Sequence, residues 1–286
     1  MTASAHAETA ASRPAALRLS AMAQFRTALA LVSRDVAVLL HNPFAFVIRT
    51  AMQPALFSFV FAYVFPRIGF GIGGGARSGS SGFGNVLLPG LMASTLMFQG
   101  IQAVALPLVQ EFSFSKEIED RVMAPVPTWA VAVSKIVSGA VQGCLAAALV
   151  VPAVWIATGR AINPDWSHPL TLSSIVILGA LAGASLGLLM GTIVSPKSIN
   201  LLFALLILPL TLLGCVYYPW SALHPLRWLQ IAVLFNPVVY MSEGLRASLA
   251  PQFGHISLWA VYGLLIGGLI VMTIAGEQMF KRRVIS

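Results

Sequence analysis

Long runs of apolar residues without a charged side chain recur along this sequence. One run extends from Ile136 to Gly159 and another from Trp166 to Pro196, and neither contains Asp, Glu, Lys or Arg. A helix needs about 20 mostly apolar residues to cross a hydrocarbon core about 30 Å thick. Because both runs reach that length and further runs follow them, the pattern predicts a chain that crosses a membrane repeatedly.

Six segments meet this length requirement, and we expect each of them to form a transmembrane helix. Their predicted bounds are residues 43–66, 85–109, 129–158, 170–194, 200–217 and 257–280. The predicted fold class is therefore an all-α, polytopic integral membrane protein with six transmembrane helices, and its transmembrane domain covers residues 43–280.

A different periodicity precedes the first span. Apolar residues recur there every three or four positions, at Met22, Phe25, Leu29, Val32, Val36 and Leu39. This spacing predicts an amphipathic helix over residues 21–42. Its longest uncharged stretch is too short to span, so we expect the helix to lie in the plane of the membrane interface.

Composition and charge agree with a membrane protein. Of the 286 residues, 58% are hydrophobic and 9% are charged, and the mean hydropathy is +0.86, whereas soluble domains carry about 25% charged residues. The net charge of +8 is spread between the apolar runs, which argues against a nucleic-acid-binding face. Most Lys and Arg fall on the side of the termini, so we expect a flexible tail over 1–20 and a basic tail over 281–286, both cytoplasmic.

The stretch between the fifth and sixth predicted spans, residues 218–250, has a different character. Its prolines break any long helix, and Arg227, Glu243 and Arg246 would each be costly at the centre of a bilayer. We therefore expect two short helices that dip into the outer leaflet and return, which makes this stretch a re-entrant outer segment.

Polar side chains mark one face of the second predicted span. Thr95, Gln99 and Gln102 are four and three residues apart, and an amide without a partner in hydrocarbon is costly. These residues either line a substrate path or hydrogen-bond to neighbouring helices. Phe98, which lies among them, is a further candidate for the path.

Two further polar pairs show the same helical spacing. Arg49 and Gln53 are four residues apart in the first span, and Ser138 and Gln142 are four apart in the third. For both pairs, hydrogen bonding between helices is the main alternative to a role in transport. We include Gln53 among the candidates for a substrate path.

Small residues recur every four positions in two of the spans. The fourth span has glycine at Gly179, Gly183, Gly187 and Gly191, and the sixth has Gly263 and Gly267. Such stripes allow two helix backbones to approach closely. The spacing leaves open whether the partner is a helix of the same bundle or a second subunit.

No signature of catalysis or of metal binding is present. The sequence contains no GxxxxGK[ST] phosphate loop, no HExxH and no paired-cysteine metal site, and its five histidines are dispersed. Its one GxSxG match, GASLG at residues 183–187, falls inside a predicted span and not at the strand-to-helix turn of a nucleophile elbow. The two cysteines, Cys144 and Cys215, both fall inside predicted spans. We therefore expect no catalytic residue, no metal and no cofactor on this chain, and no ATP hydrolysis by it.

A charged segment, residues 110–127, connects the second and third spans on the predicted cytoplasmic side. It contains EFSFSKEIEDRVMAPVP, in which Lys116 and Asp120, and also Glu117 and Arg121, are four residues apart. This spacing favours a short surface helix. The helix is either a solvated connector or a docking element for a soluble partner.

Three passages resemble the membrane subunits of type-2 ABC exporters, the ABC-2 permeases, and in particular the branch similar to the daunorubicin exporter. LPGLMASTLMFQG is similar to the family's second span, and EIEDRVMAPVPTWAVAVSKIV to its cytoplasmic coupling segment. CVYYPWSALHPLRWLQIAVLFNPVVYMSEGLRASL is similar to its outer segment. The residues that carry this last resemblance are Tyr218, Pro219, Pro225, Trp228, Asn236, Pro237, Tyr240, Leu245 and Arg246.

The resemblance implies an assembly in a bacterial-type plasma membrane. It implies a dimer with an identical or homologous permease, joined to two copies of a separate ATPase subunit that binds ATP and Mg²⁺. It also implies export of a hydrophobic or amphipathic drug-like molecule or a lipid, along a route lined by the second and fifth spans. The residues implied to couple the permease to the ATPase are Lys116, Glu117, Ile118, Glu119, Asp120, Arg121, Met123 and Pro125.

Three other functions stay open. A polysaccharide or lipid-linked glycan exporter of the same superfamily is one, although the basic segment typical of that branch is absent. An intramembrane enzyme is another, but the spans contain almost no acidic residue or histidine apart from Glu277. A passive channel is the third, and it is disfavoured because no charged ring or carbonyl filter is recognisable.

Overall fold

A computed structural model describes residues 41–68, 80–111, 128–159, 162–194 and 198–285, together with several residues between Arg26 and Ala37. Within these ranges the chain consists of helices and the turns that connect them, and no β-strand occurs. The prediction of an all-α chain is confirmed. The described residues between Arg26 and His41 are helical, while the position of this region at the membrane surface stays a prediction.

Eight α-helices of at least six residues follow one another in the described part of the chain. They are α1 (Pro43–Ser58), α2 (Ser80–Gln110), α3 (Thr128–Ala157), α4 (Pro169–Ile193), α5 (Ile199–Leu212), α6 (Arg227–Ala232), α7 (Pro237–Leu249) and α8 (Leu258–Ile285). The first helix continues as a π-helix over Phe59–Val64 and a last turn over Phe65–Arg67. Short 3₁₀ turns cover Trp220–Leu223 and Val233–Phe235.

Five helices of the described chain are long and apolar enough to cross a membrane. They cover Pro43–Val64, Phe83–Gln110, Trp129–Ala157, Pro169–Ile193 and Leu258–Arg283. All five overlap spans predicted from the sequence, and their bounds differ from the predictions by only a few residues. The prediction of a polytopic membrane protein is therefore confirmed.

The fifth predicted span is shorter than expected. Helix α5 has 14 residues, which corresponds to about 21 Å, and it ends at Leu212 rather than at Tyr217. The chain turns immediately afterwards, where Cys215 adopts a φ of 51° and the Ser242 hydroxyl donates a hydrogen bond to the Gly214 carbonyl at 2.9 Å. The bound at Tyr217 is therefore wrong, and the total of six spans stays a prediction.

Helix α2 lies at the centre of the bundle, and α8 lies at its periphery. In the most apolar window of each helix, 67% of the α2 residues are buried, against 11% for α8. Helix α2 packs against α3, α4 and α7, and α8 packs mainly against α4. Side chains on α2 therefore face other helices on most sides.

The four glycines of α4 face α2 of the same chain. A methyl group added at Gly187 would lie 2.8 Å from the carbonyl oxygen of Ile101, and one added at Gly183 would lie 3.0 Å from that of Leu96. Gly100 on α2 is equally close, since its added methyl group would lie 2.8 Å from the Ala184 nitrogen. The stripe in the fourth span therefore serves packing within one bundle. By contrast, an added methyl group at Gly263 or Gly267 on α8 would meet no atom of the described residues within 4 Å.

The outer segment, residues 218–250, is helical but interrupted, as its prolines predict. Two 3₁₀ turns and α6 precede α7, and Pro219 and Asn236 have extended backbone angles that separate these elements. In α7, every residue from Val238 to Leu249 is buried. The Asp165 N–H binds the Leu249 carbonyl at 2.8 Å, which joins this segment to the turn before α4. Its depth in the outer leaflet stays a prediction.

The C-terminal helix continues through most of the predicted basic tail, residues 281–286. Lys281 forms an ion pair with Glu277 at 2.6 Å, one turn earlier on α8. The Arg283 guanidinium donates a hydrogen bond to the Thr192 carbonyl at 2.7 Å, where α4 ends. A cation is favourable at that position because the last carbonyls of a helix carry partial negative charge. These contacts extend α8 to Ile285, beyond the predicted end at Phe280.

Candidate functional site

A cavity of about 250 Å³ lies between α1 and α2 and is closed on one side by the residues that follow α5. Its wall from α1 consists of Arg49, Thr50, Gln53 and Pro54. Its wall from α2 consists of Leu91, Ser94, Thr95, Phe98, Gln99 and Gln102. The remaining lining residue is Tyr217.

All five residues that the sequence indicates as candidates for a substrate path line this one cavity: Gln53, Thr95, Phe98, Gln99 and Gln102. The four on α2 share a face because residues three or four apart in a helix point the same way. The structure adds Gln53 from α1 to that face. That a substrate passes here stays a prediction, but the candidates form one site.

Two polar groups in the cavity wall are buried without a hydrogen-bond partner in the described part of the chain. Gln99 and Thr50 are each 6% exposed, and the Gln99 Nε2 and Thr50 Oγ1 atoms have no such partner there. Ser94 differs, because its hydroxyl donates a hydrogen bond to the Leu91 carbonyl at 3.0 Å. A buried polar group without a partner costs roughly 1–3 kcal/mol. Gln99 and Thr50 are therefore suited to a ligand that supplies the missing hydrogen bonds.

Leu91 and Gln102, which both line the cavity from α2, are about 16 Å apart along that helix. Gly90 contacts Val216, which puts Tyr217 near the Leu91 end. Because consecutive spans run in opposite directions, the beginning of α1, with Arg49, lies beside the end of α2, with Gln102. The guanidinium and the Gln102 amide thus lie toward one end of the cavity, and Leu91 and Tyr217 lie toward the other, one helical turn from the Ser94 and Thr95 hydroxyl groups.

Aromatic rings support the apolar end. The ring of Tyr217 lies 5.6 Å from that of Phe57 and 5.6 Å from that of Phe61, at separations typical of favourable aromatic pairs. Phe57 belongs to α1, and Phe61 belongs to its π-helical continuation. This cluster holds Tyr217 against the first span, although Tyr217 follows α5 in the sequence.

The sequence prediction of the site omitted several residues and included a part of the chain that the structure does not describe. Thr50 lies three residues before Gln53 on the same helical face, so this spacing could have identified Thr50 as a candidate for the site. No local pattern identifies Tyr217. The other polar pair, Ser138 and Gln142, does not line the cavity.

The eight predicted coupling residues fall within 116–125, outside the described residues, and their role stays a prediction.

A second polar arrangement lies in the outer segment, and its geometry indicates a structural role. Glu243 and Arg246 are both fully buried and form an ion pair. Glu243 also accepts hydrogen bonds from the backbone N–H groups of Trp220 at 2.9 Å and Ile256 at 3.2 Å. Arg246 donates to the Cys215 carbonyl at 3.0 Å. The pair thus connects α7 to three other parts of the chain, at Cys215, Trp220 and Ile256.

The other polar residues of the outer segment have similar roles. The side-chain amide of Asn236 donates to the Leu210 carbonyl at 2.9 Å, and its oxygen accepts from the Val238 N–H at 3.0 Å. The Tyr240 hydroxyl donates to the Leu234 carbonyl at 2.8 Å. The NPxxY sequence therefore caps α7 and binds it to the end of α5, and it is separate from the cavity.

Comparison with known proteins agrees with this architecture. A sequence model of the family described as ABC-2 type transporter matches residues 26–250. The chain is 28% identical over 201 residues to the inner membrane transport permease YadH of Escherichia coli K12, an alignment that covers 68% of this chain and 74% of YadH. The YadH of Shigella flexneri matches with the same identity and coverage. Because the family match includes most of the chain, from before α1 to the end of α7, this protein belongs to the ABC-2 type transporter family, the membrane permeases of ABC systems.

Proposed function

We propose that this permease exports an amphipathic small molecule or a lipid across the plasma membrane, driven by ATP hydrolysis on a separate subunit. The cavity between α1 and α2 is the observation that carries this proposal. It combines two buried polar groups that have no hydrogen-bond partner in the described part of the chain, those of Gln99 and Thr50, with Leu91 and Tyr217 toward one end. Intramembrane polar groups that face a cavity often mark a transport path. The name of YadH, an inner membrane transport permease, supports both the membrane and the class of function.

The proposed assembly contains two permeases and two ATPase subunits, with ATP and Mg²⁺ bound by the ATPases. The second permease is a second copy of this chain or a homologue. Both termini and the 110–127 segment face the cytoplasm, and that segment docks on the ATPase. Helix α2 supports this arrangement, because it carries the cavity residues and leads directly into the segment.

Transport is tested with the permease purified together with its co-purifying ATPase and reconstituted into inside-out vesicles. We expect ATP to drive uptake of a fluorescent amphipathic dye, and a non-hydrolysable ATP analogue to abolish it. Uptake of a labelled polysaccharide instead of the dye would favour the glycan exporter. ATP-independent movement of the dye through the reconstituted protein would contradict the proposal and favour a channel.

Docking of the ATPase is tested with Ile118→Asp and Met123→Asp. A charge placed in a buried contact is costly, so we expect both variants to lose the co-purifying ATPase and export while they still insert into the membrane. Arg227→Gln is the control, because it removes an exposed charge outside the 110–127 segment, and it should leave co-purification and export unchanged. Normal co-purification in both Asp variants would show that the ATPase docks elsewhere.

A further inference from the structure

We propose that the molecule bound in the cavity is an amphipathic organic anion, whose carboxylate or phosphate group pairs with Arg49. This inference rests on the proposed function, because it names the chemistry of the substrate that uses the same cavity. The aliphatic or aromatic body of the anion extends toward Leu91 and Tyr217.

The charge of the lining is the first argument. Arg49, an exposed residue, is the one charged side chain among the described residues that line the cavity, and none of these is acidic. In the described part of the chain, no carboxylate forms an ion pair with Arg49. A guanidinium remains charged at every physiological pH and binds carboxylate and phosphate groups through paired hydrogen bonds. The wall therefore attracts an anion and repels a cation.

The polar groups near Arg49 are the second argument. Thr50 follows it directly, and Gln53 lies one turn further on α1. The unpartnered Gln99 Nε2 is a hydrogen-bond donor, and so is the hydroxyl of Thr50. Two donors and a guanidinium match the oxygens of an anionic head group, each of which accepts several hydrogen bonds. A cationic head group would leave the Gln99 Nε2 donor without an acceptor.

The size of the cavity is the third argument. Its volume of about 250 Å³ lies just below the roughly 300–1,000 Å³ of pockets for drug-sized ligands. It therefore accommodates a compact head group and the first part of an apolar body. Arg49 and Gln102 lie toward one end of the cavity, and Leu91 and Tyr217 lie toward the other. Such a molecule is therefore oriented with its head group at the Arg49 end.

The proposal is tested by equilibrium binding to the purified chain in nanodiscs of neutral lipid. The probes are a dansyl-labelled undecanoate, its primary amide and a trimethylammonium analogue with the same apolar body. We expect the carboxylate to bind about tenfold more tightly than the amide, and the cation to bind more weakly than either. Equal affinities for the three probes would overturn the proposal.

Three variants separate the cavity from the general positive charge of the protein. Arg49→Gln should reduce the preference for the carboxylate to about twofold or less, and Arg49→Lys should retain part of it. Arg282→Gln, which removes an exposed charge outside the cavity, should leave the preference unchanged. An unchanged preference in Arg49→Gln would show that another group selects the anion, and the proposal would then be wrong.

Two further experiments are needed. The first identifies the source of the anion, and the second separates this inference from the proposed function. Weaker probe binding in nanodiscs that contain phosphatidylglycerol indicates a lipid head group, and unchanged binding indicates a free organic acid. Both results are compatible with the anion site.

If the carboxylate binds selectively but is never moved by ATP in vesicles, the binding site stands and the proposed export function fails. If ATP drives uptake of all three probes equally, export stands and the anion preference fails.

Discussion

The ammonium group of Lys135 lies 2.6 Å from a carboxylate oxygen of Glu111, and both side chains are largely buried. Lys135 belongs to the second turn of α3, and Glu111 follows the last residue of α2. The pair therefore joins the two ends of the segment that is proposed to dock on the ATPase.

Lys135→Met should destabilise the protein, because it removes the ammonium group that lies against the largely buried carboxylate of Glu111. The expected loss is on the order of 3 kcal/mol, measured as a lower denaturation temperature in detergent. Adding Glu111→Gln to this variant should recover part of the loss, as expected for a coupled pair. Lys281→Gln is the matched control, because its pair with Glu277 is exposed, and it should change stability by less than about 0.5 kcal/mol. Equal effects of the two lysine variants would contradict this view of the pair.

Gly187→Ala should weaken the contact between α2 and α4. The new methyl group would lie 2.8 Å from the Ile101 carbonyl oxygen and 2.9 Å from its Cα, so the backbones must separate, at a cost of roughly 1–3 kcal/mol. Gly267→Ala meets nothing within 4 Å and should be neutral or stabilising, because alanine is the better helix former. Thermal unfolding of both variants in detergent measures the contrast. A tolerated Gly187→Ala would mean that the two helices are not in close contact.

Arg246→Lys should fail to replace the arginine, although it preserves the charge. The guanidinium binds Glu243 and the Cys215 carbonyl simultaneously, and a lysine ammonium is a single point that does not span both. We expect a clear loss of monodisperse protein in size-exclusion chromatography. Arg227→Gln changes an exposed residue of the same segment and should have little effect. If Arg246→Lys is obtained in normal yield, the ion pair with Glu243 is sufficient for folding without the hydrogen bond to the Cys215 carbonyl.

Gln99→Leu should have opposite effects on stability and on transport. Removing a buried amide nitrogen that has no partner in the described chain should stabilise the fold by roughly 1 kcal/mol. Export should fall about three- to tenfold, because a hydrogen bond to the substrate is lost. Gln142→Leu, which makes the same change outside the cavity, should leave export unchanged. If Gln99→Leu instead lowers the denaturation temperature and leaves export intact, Gln99 has a structural role only.

The lengths of the apolar runs were enough to predict five of the helices, because a bilayer imposes a minimum length that soluble helices do not have to meet. The same criterion was misleading at the end of α5. The apolar run continues through Val216 and Tyr217, but the chain turns at Gly214 and Cys215, where contacts with α7 stabilise the turn. Hydropathy does not register a tertiary contact of that kind.

The face of α2 that lines the cavity followed from helical spacing alone, since Thr95, Gln99 and Gln102 share one side. Tyr217 could not be predicted in the same way, because α3, α4 and α5 separate it from α2 in the sequence. The outer segment shows the opposite case, because the sequence predicts Glu243 and Arg246 to be costly charges that interrupt an apolar stretch. They are buried because they neutralise each other and bind backbone groups, which a single sequence does not reveal.

Gln99 and Gly100 are neighbours in the chain, but they belong to different faces of α2, about 100° apart around the helix axis. Gln99 lines the cavity beside α1, and Gly100 touches the backbone of α4. Under the proposed function, substitutions on the Gln99 face of α2 would change which compounds are recognised and would leave the contact with α4 intact. Permeases with the same packing of α2 against α4 would then not need to transport the same compounds.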